Sequence, residues 1–284
     1  MISEKQFNKE IQLIIANAIR EDVGEGDHSS LACIPSNAIG KAKLLVKDQG
    51  IIAGVEFAKK VFNYVDESLK MEILMDDGSS VKFGDIVFYV EGPSQSILKA
   101  ERLVLNAMQR MSAIATITHN YVKLLEGTKA KILDTRKTTP GIRALEKWAV
   151  KIGGGENHRF ALYDMIMLKD NHIASTGSIT KAIEKARSVA SVWYNIEVEC
   201  KSFQEAEEAI IAGADIIMLD NFTPALAKET AEKLKKKYSN AVIELSGGIN
   251  KNNIIEYFSD YIDIISMGNL TTNYSPVDFS LKIK

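Results

Sequence analysis

Apolar and polar positions follow one period near the N-terminus and another in the C-terminal half. Phe7, Ile11, Ile14, Ile15, Ala18 and Ile19 share one helical face, which predicts an amphipathic helix over 3–20. Ser3 followed by Gln6 forms a capping box at its start. Glu21–Ser30 reads as a loop ordered by Glu25 and Asp27. Lys43–Lys47 and Ile86–Glu91 read as strands and Val55–Tyr64 as a helix, with turns at Asp76-Asp77-Gly78 and Gly84-Asp85. The stretch 95–126, rich in Ala, Leu, Met and Ile, predicts a long helix broken near Met111–Ser112.

From Ala130 the pattern becomes six short, β-rich apolar runs: KILDT, MIMLKD, IEVEC, IIMLDN, VIELSGG and IISMGN. Helical segments at 140–151, 178–190, 202–212, 224–237 and 250–258 separate most of them, with Thr139 as N-cap and Pro140 at the first position of the first. This alternation predicts parallel βα units, and nearly continuous apolar strands predict a sheet covered on both faces. Each run ends in polar or glycine residues: Asp134/Arg136/Lys137, Lys169/Asp170/Asn171, Glu199, Asp220/Asn221, Ser246/Gly247/Gly248 and Gly268/Asn269. In a βα barrel the active site lies at the C-terminal strand ends, so six such endings in succession predict a barrel with a site.

The ends suggest an anion pocket. Arg136 and Lys137 precede two threonines and a helix start, and His158 and Arg159 follow three glycines. Arginine matches planar carboxylates in two-pronged fashion, while lysine and glycine-rich turns suit phosphate. Glu199 and Asp220 are acids fit for ribose hydroxyls or Mg2+. The expected ligands are a phosphorylated sugar and a carboxylate-bearing partner.

Composition alters this picture in one respect. The 284 residues carry a formal net charge of −2, which argues against a nucleic-acid binder. Yet residues 136–172 hold seven Lys/Arg against four Asp/Glu, so a +3 segment is offset by a −5 remainder. Cys33 and Cys200 are too few for a disulfide scaffold. No signal-peptide layout opens the chain, and no apolar run reaches the roughly 18 residues of a membrane helix, so a cytoplasmic protein with no membrane contact is expected.

These residues resemble the quinolinate phosphoribosyltransferases, the carboxylating nicotinate-nucleotide pyrophosphorylases. The likeness shows in EDVGEGDHSS, in AERLVLNAMQRMSAIAT and most strongly in TRKTTPGIRALEKWAVKIGGGENHRFALYDMIMLKDNHI, and it continues through EVEC, MLDN, SGGI and SMGNLT. The resemblance implies an α/β fold: an N-terminal α/β sandwich domain (1–112, completed by 270–284) and an incomplete, TIM-like α/β barrel (113–269). It implies a homodimer with shared active sites, in which Arg102 enters the neighbour's site. It implies that quinolinate meets Arg102, Arg136, His158, Arg159 and Lys169. Lys137 would contact phosphoribosyl pyrophosphate, Glu199 and Asp220 would hold ribose hydroxyls and Mg2+, and Ser246, Gly247, Gly248 and Gly268 would cradle the 5′-phosphate. Lys137, Lys169, Glu199 and Asp220 are the expected catalytic residues.

Asn269 and His28 depart from the family pattern. Three alternatives share parts of this picture: a molybdenum-transport-associated relative, a nicotinate phosphoribosyltransferase, and a non-catalytic sensor of phosphate ligands. The intact Lys169-Asp170-Asn171-His172 run, the dense cations and the paired acids favour the quinolinate enzyme over each in turn.

Overall fold

The computed structural model describes residues 2–191 and 193–283, so Met1 and Lys284, the outer ends of the expected terminal segments, lie outside the described residues. The elements run α1 (Glu4–Val23), α2 (His28–Cys33), β1 (Ile39–Val46), β2 (Gly50–Ile51), α3 (Val55–Val65), β3 (Lys70–Ile73), β4 (Ser80–Val81), β5 (Ile86–Pro93) and α4 (Ser94–Leu124). There follow β6 (Lys131–Leu133), α5 (Arg143–Ile152), β7 (Ile166–Leu168), α6 (Asp170–Thr176), α7 (Ile179–Val189), β8 (Ile196–Cys200) and α8 (Phe203–Ile211). The chain ends with β9 (Ile216–Asp220), α9 (Pro224–Lys237), β10 (Val242–Ser246), a 3-10 turn (Ile254–Tyr257), β11 (Ile264–Ser266), α10 (Asn269–Thr272) and β12 (Phe279–Ile283). Two compact units result. Among the described residues, one comprises 2–119, 138–154 and 270–283, the other 120–137 and 155–269.

The first unit is built on an antiparallel sheet in the order β12-β1-β5-β3. Along β1, Ala42, Leu44 and Val46 are buried and alternate with more exposed residues, so one face makes the core. The C-terminal strand supplies an edge, with Leu281 opposite Leu44. Phe62 and Phe88 meet edge to face at 6.0 Å beneath it. Ser3 caps α1 through the Gln6 N–H. Asp27 caps α2, which takes up the end of the expected loop, by accepting the Ser29 and Ser30 N–H groups at 3.1 Å each.

Two expectations fail here. The long helix does not break near Met111–Ser112. Met111 is core, and the Ser112 hydroxyl, which could have competed for its own helix, is taken by the Ala53 backbone: it accepts the N–H at 2.9 Å and donates to the carbonyl at 3.2 Å. Thr139 is not an N-cap. Gly141, at φ +84°, interrupts the chain, and α5 starts at Arg143. The Thr139 N–H is instead held at 3.0 Å by the carboxylate of Glu146, a fully buried side chain that also pairs with Arg110.

The second unit contains all six expected strands in a single parallel sheet, ordered β6-β11-β10-β9-β8-β7. The edge strands β6 and β7 do not pair with one another among the described residues, so the sheet is an α/β barrel left open. The short helix α6 was not expected. Its start is fixed by His172, whose Nδ1 accepts the Lys169 N–H at 3.0 Å. The expected helix over 250–258 is only the 3-10 turn 254–257. Asn250 and Asn253 divert the backbone: Asn253 Oδ1 accepts the Asn250 N–H at 2.8 Å and Asn250 Oδ1 the Asn252 N–H at 3.0 Å.

Candidate active site

Strand register brings the candidate side chains of the second unit to one end of its sheet. Asp220 lies opposite Ser246, Glu199 opposite Met218, and Leu168, the last residue of β7, opposite Val198. Lys169 therefore leaves the sheet beside Glu199, and their side chains form an ion pair. Arg136 and Lys137 emerge, exposed, just beyond β6. Lys137 folds over Gly268, where a Cβ would come within 2.7 Å of the lysine Cδ. Beyond Ser246, Gly247 and Gly248 both take positive φ (93° and 66°) and make the turn at the end of β10.

Asn221 supports the acid beside that turn. Its backbone is left-handed at φ 58°, its N–H bonds the Ser246 carbonyl at 2.9 Å, and its amide donates to Asp220 Oδ2 at 2.8 Å. A Cβ at Gly247 would lie 2.3 Å from Asn221 Oδ1, so this crossing requires glycine.

Arg159 is half-buried. Burial lowers its pKa, and so does the neighbouring Arg136 guanidinium. Two cations that repel one another across a partly desolvated site favour an anionic ligand. Arg159 also donates to the Met165 carbonyl at 3.1 Å.

His158 is buried below this surface. Its Nε2 lies 3.0 Å from Glu197 Oε2 and 3.6 Å from Glu244 Oε1, and its Nδ1 accepts the Arg159 N–H at 2.7 Å. Its own N–H bonds Asp134 Oδ1 at 2.8 Å, while Asp134 Oδ2 accepts from Asn157 at 2.7 Å. Burial alone would lower the imidazole pKa, but the two carboxylates outweigh it and raise it. Burial, together with Glu244, likewise raises the Glu197 carboxyl. The Arg159 N–H at Nδ1 holds the ring with its proton on Nε2, facing the two carboxylates, against their pull toward a doubly protonated ring.

Residues 27–112 match the N-terminal domain of quinolinate phosphoribosyl transferase, and residues 114–282 match its C-terminal domain. The nicotinate-nucleotide pyrophosphorylase (carboxylating) of Dictyostelium discoideum is 40% identical over 96% of both chains. The rat protein of the same name is 38% identical over 95% of this chain and 90% of its own. A crystal structure of NadC from Streptococcus pyogenes superposes with a TM-score of 0.90 at 38% identity, covering 100% of this chain and 98% of that one. The chain belongs to the quinolinate phosphoribosyl transferase family.

Within this family member, the second unit gathers Arg136, Lys137, His158, Arg159, Lys169, Glu199, Asp220, Ser246, Gly247, Gly248 and Gly268 around one end of the sheet. Arg102 is exposed on α4 in the first unit. Thr138 and Thr139 do not offer free hydroxyls: Arg143 Nε donates to the first at 2.9 Å, and Arg110 to the second. Asn269 anchors the last strand end by donating to the Tyr121 hydroxyl at 3.0 Å. Cys33 is exposed and Cys200 buried, and burial pushes the Cys200 thiol pKa up. No described helix is long and apolar enough to cross a membrane.

Reading only the strand ends missed Glu197 and Glu244. The available signal was an acid two residues before an end residue, Glu197 before Glu199 and Glu244 before Ser246. A strand repeats every two residues, so each pair shares a face.

Proposed function

We propose that this chain transfers the phosphoribosyl group of phosphoribosyl pyrophosphate to quinolinate and decarboxylates the product, yielding nicotinate mononucleotide, pyrophosphate and CO2. The observation that carries the proposal is the convergence of Arg136, Arg159 and Lys169 with the acids Glu199 and Asp220 at one sheet end. A simple anion site would need no acids, and a monocarboxylate would need fewer cations.

Arg136, Arg159 and Lys169 bind the two ring carboxylates and orient the pyridine nitrogen. That nitrogen attacks the anomeric carbon; the C–N bond forms as the C–O bond to pyrophosphate breaks. Lys137 faces the departing pyrophosphate. Gly247, Gly248, Gly268 and Ser246 hold the 5′-phosphate. Glu199 and Asp220 stabilise positive charge developing at the anomeric carbon. The C–COO− bond next to the alkylated nitrogen then breaks, its electron pair staying on the ring carbon as a carbanion that the positive nitrogen stabilises. CO2 leaves, and a proton from water replaces it on the ring. The donor set fits Mg2+, since Glu199 and Asp220 are oxygen ligands on adjacent strand ends. When bound there, the ion would neutralise charge on the leaving pyrophosphate.

The assay combines the protein with quinolinate, phosphoribosyl pyrophosphate and Mg2+ and follows CO2 and nicotinate mononucleotide. Product from nicotinate but not quinolinate reassigns the chain to nicotinate phosphoribosyl transfer. No product from either points to the transport-associated relative or the sensor. A cytoplasmic location is part of the same proposal, supported by two unpaired cysteines.

The exposed Arg102 supports a homodimer in which it completes the partner's site. Arg102→Ala and Lys169→Ala homodimers are each expected to be nearly inactive. After mixing and subunit exchange, about one quarter of wild-type activity should return, because half the dimers are mixed and each has one intact site. No recovery despite verified exchange sinks the shared site.

A further inference from the structure

The core of the second unit holds a charged network that the proposed chemistry does not use. Glu197 on β8 and Glu244 on β10 are fully buried in mid-strand. Both converge on His158 Nε2, at 3.0 and 3.6 Å. The other side of the same ring, Nδ1, holds the Arg159 N–H at 2.7 Å. Asp134, past the end of β6, grips the His158 N–H at 2.8 Å. His158 is thus fixed from three strands of the sheet.

Burying two carboxylates is costly, and apolar residues would serve a core better. What they accomplish is geometric. A carboxylate at Nε2 selects the tautomer with its proton there, and only that tautomer leaves Nδ1 able to accept. Arg159 is then fixed by its backbone N–H at one end and by its guanidinium on the Met165 carbonyl at the other.

We propose that Glu197 and Glu244 are positioning residues for substrate recognition, acting through His158 to set the place of Arg159 at the quinolinate carboxylates. Nδ1 of His158 is taken by the Arg159 N–H and Nε2 is buried facing the two carboxylates, so its contribution passes through Arg159. This rests on the quinolinate site proposed above.

The test uses full-length Glu197→Gln and Glu244→Gln proteins, which keep side-chain size. Folding is checked by circular dichroism and oligomer size. The expected result is a rise in KM for quinolinate of about 10-fold or more, with KM for phosphoribosyl pyrophosphate within about twofold of wild type. Equal rises in both KM values, a fall in kcat alone, or wild-type constants overturn the proposal. Nitrogen-15 NMR of histidine-labelled wild-type enzyme, with His158→Gln for assignment, keeps the test decisive if the Gln variants do not fold. One protonated nitrogen, Nε2, supports the proposal; a ring protonated at Nδ1, alone or with Nε2, overturns it. Wild-type protein that fails to turn over quinolinate refutes the functional proposal instead, and the NMR result then still decides the His158 arrangement.

Discussion

Lys169→Ala is expected to lower kcat/KM for quinolinate by about 10²- to 10³-fold, the cost of removing one preorganised charge from a site of this kind. Lys169 faces the open end of the sheet, and its partner Glu199 is a proposed ribose and Mg2+ residue. Its loss removes one carboxylate contact and leaves Glu199 without its cation. The side chain is 42% exposed and adds nothing to the core, so the protein should still fold. Arg136→Ala is expected to match the loss of activity, with a different effect on stability. Arg136 lowers the pKa of Arg159, so the two repel in the free enzyme. Its removal relieves that repulsion, and the melting temperature should hold or rise as activity falls. Steady-state kinetics and thermal melts on the same preparations check both. Near-wild-type turnover in either variant removes that residue from the site. A marked fall in melting temperature for Arg136→Ala contradicts the repulsion.

The largest effect on stability is expected at Gly153. Three glycines in a row, Gly153-Gly154-Gly155, permit a sharp turn or a close approach of the backbone. Gly154 does turn, at φ +91°. Gly153 does something else. It follows α5 with an ordinary helical backbone, φ −72°, and presses on α4. A Cβ there would lie 2.4 Å from the Ala115 carbonyl oxygen, 3.0 Å from its Cα and 2.8 Å from Thr118 Cβ. Two of these atoms are backbone of a long, buried helix and cannot swing aside. Gly153→Ala should therefore cost about 3 kcal/mol or more through overpacking. At roughly 2–4 °C per kcal/mol for a chain of this size, the melting temperature should fall by about 10 °C. Gly127→Ala is the control: its φ is +87° but nothing lies within 4 Å, so a loss of only about 1 kcal/mol from backbone strain is expected. Equal melting temperatures for the two variants refute the close contact.

Much of the molecule is determined locally. The six strands of the second unit are legible because each is a short apolar run closed by polar residues, and sheet periodicity does not depend on distant partners. The charged strand ends are legible for the same reason: the C-terminal ends of parallel strands point one way, so adjacent ends meet. Segments where a side chain captures backbone outside the regular helix were not legible. The helix at Ser112 continues because Ala53 takes the hydroxyl. The start of α5 is set by Glu146 and Gly141 rather than by Thr139. The helix expected at 250–258 is lost to asparagine side chains that bond nearby backbone.

The sequence by itself determined the strand order along the chain, the residues at each strand end, and the cationic segment hidden in a net charge of −2. Only the tertiary structure decided what lies beneath that segment. Glu197, Glu244 and His158 are far apart in the chain, and two of them sit inside apolar strands, where an isolated acid reads as an irregularity. Their convergence depends on β8 and β10 lying on either side of β9, and strand order of that kind leaves no mark in local periodicity.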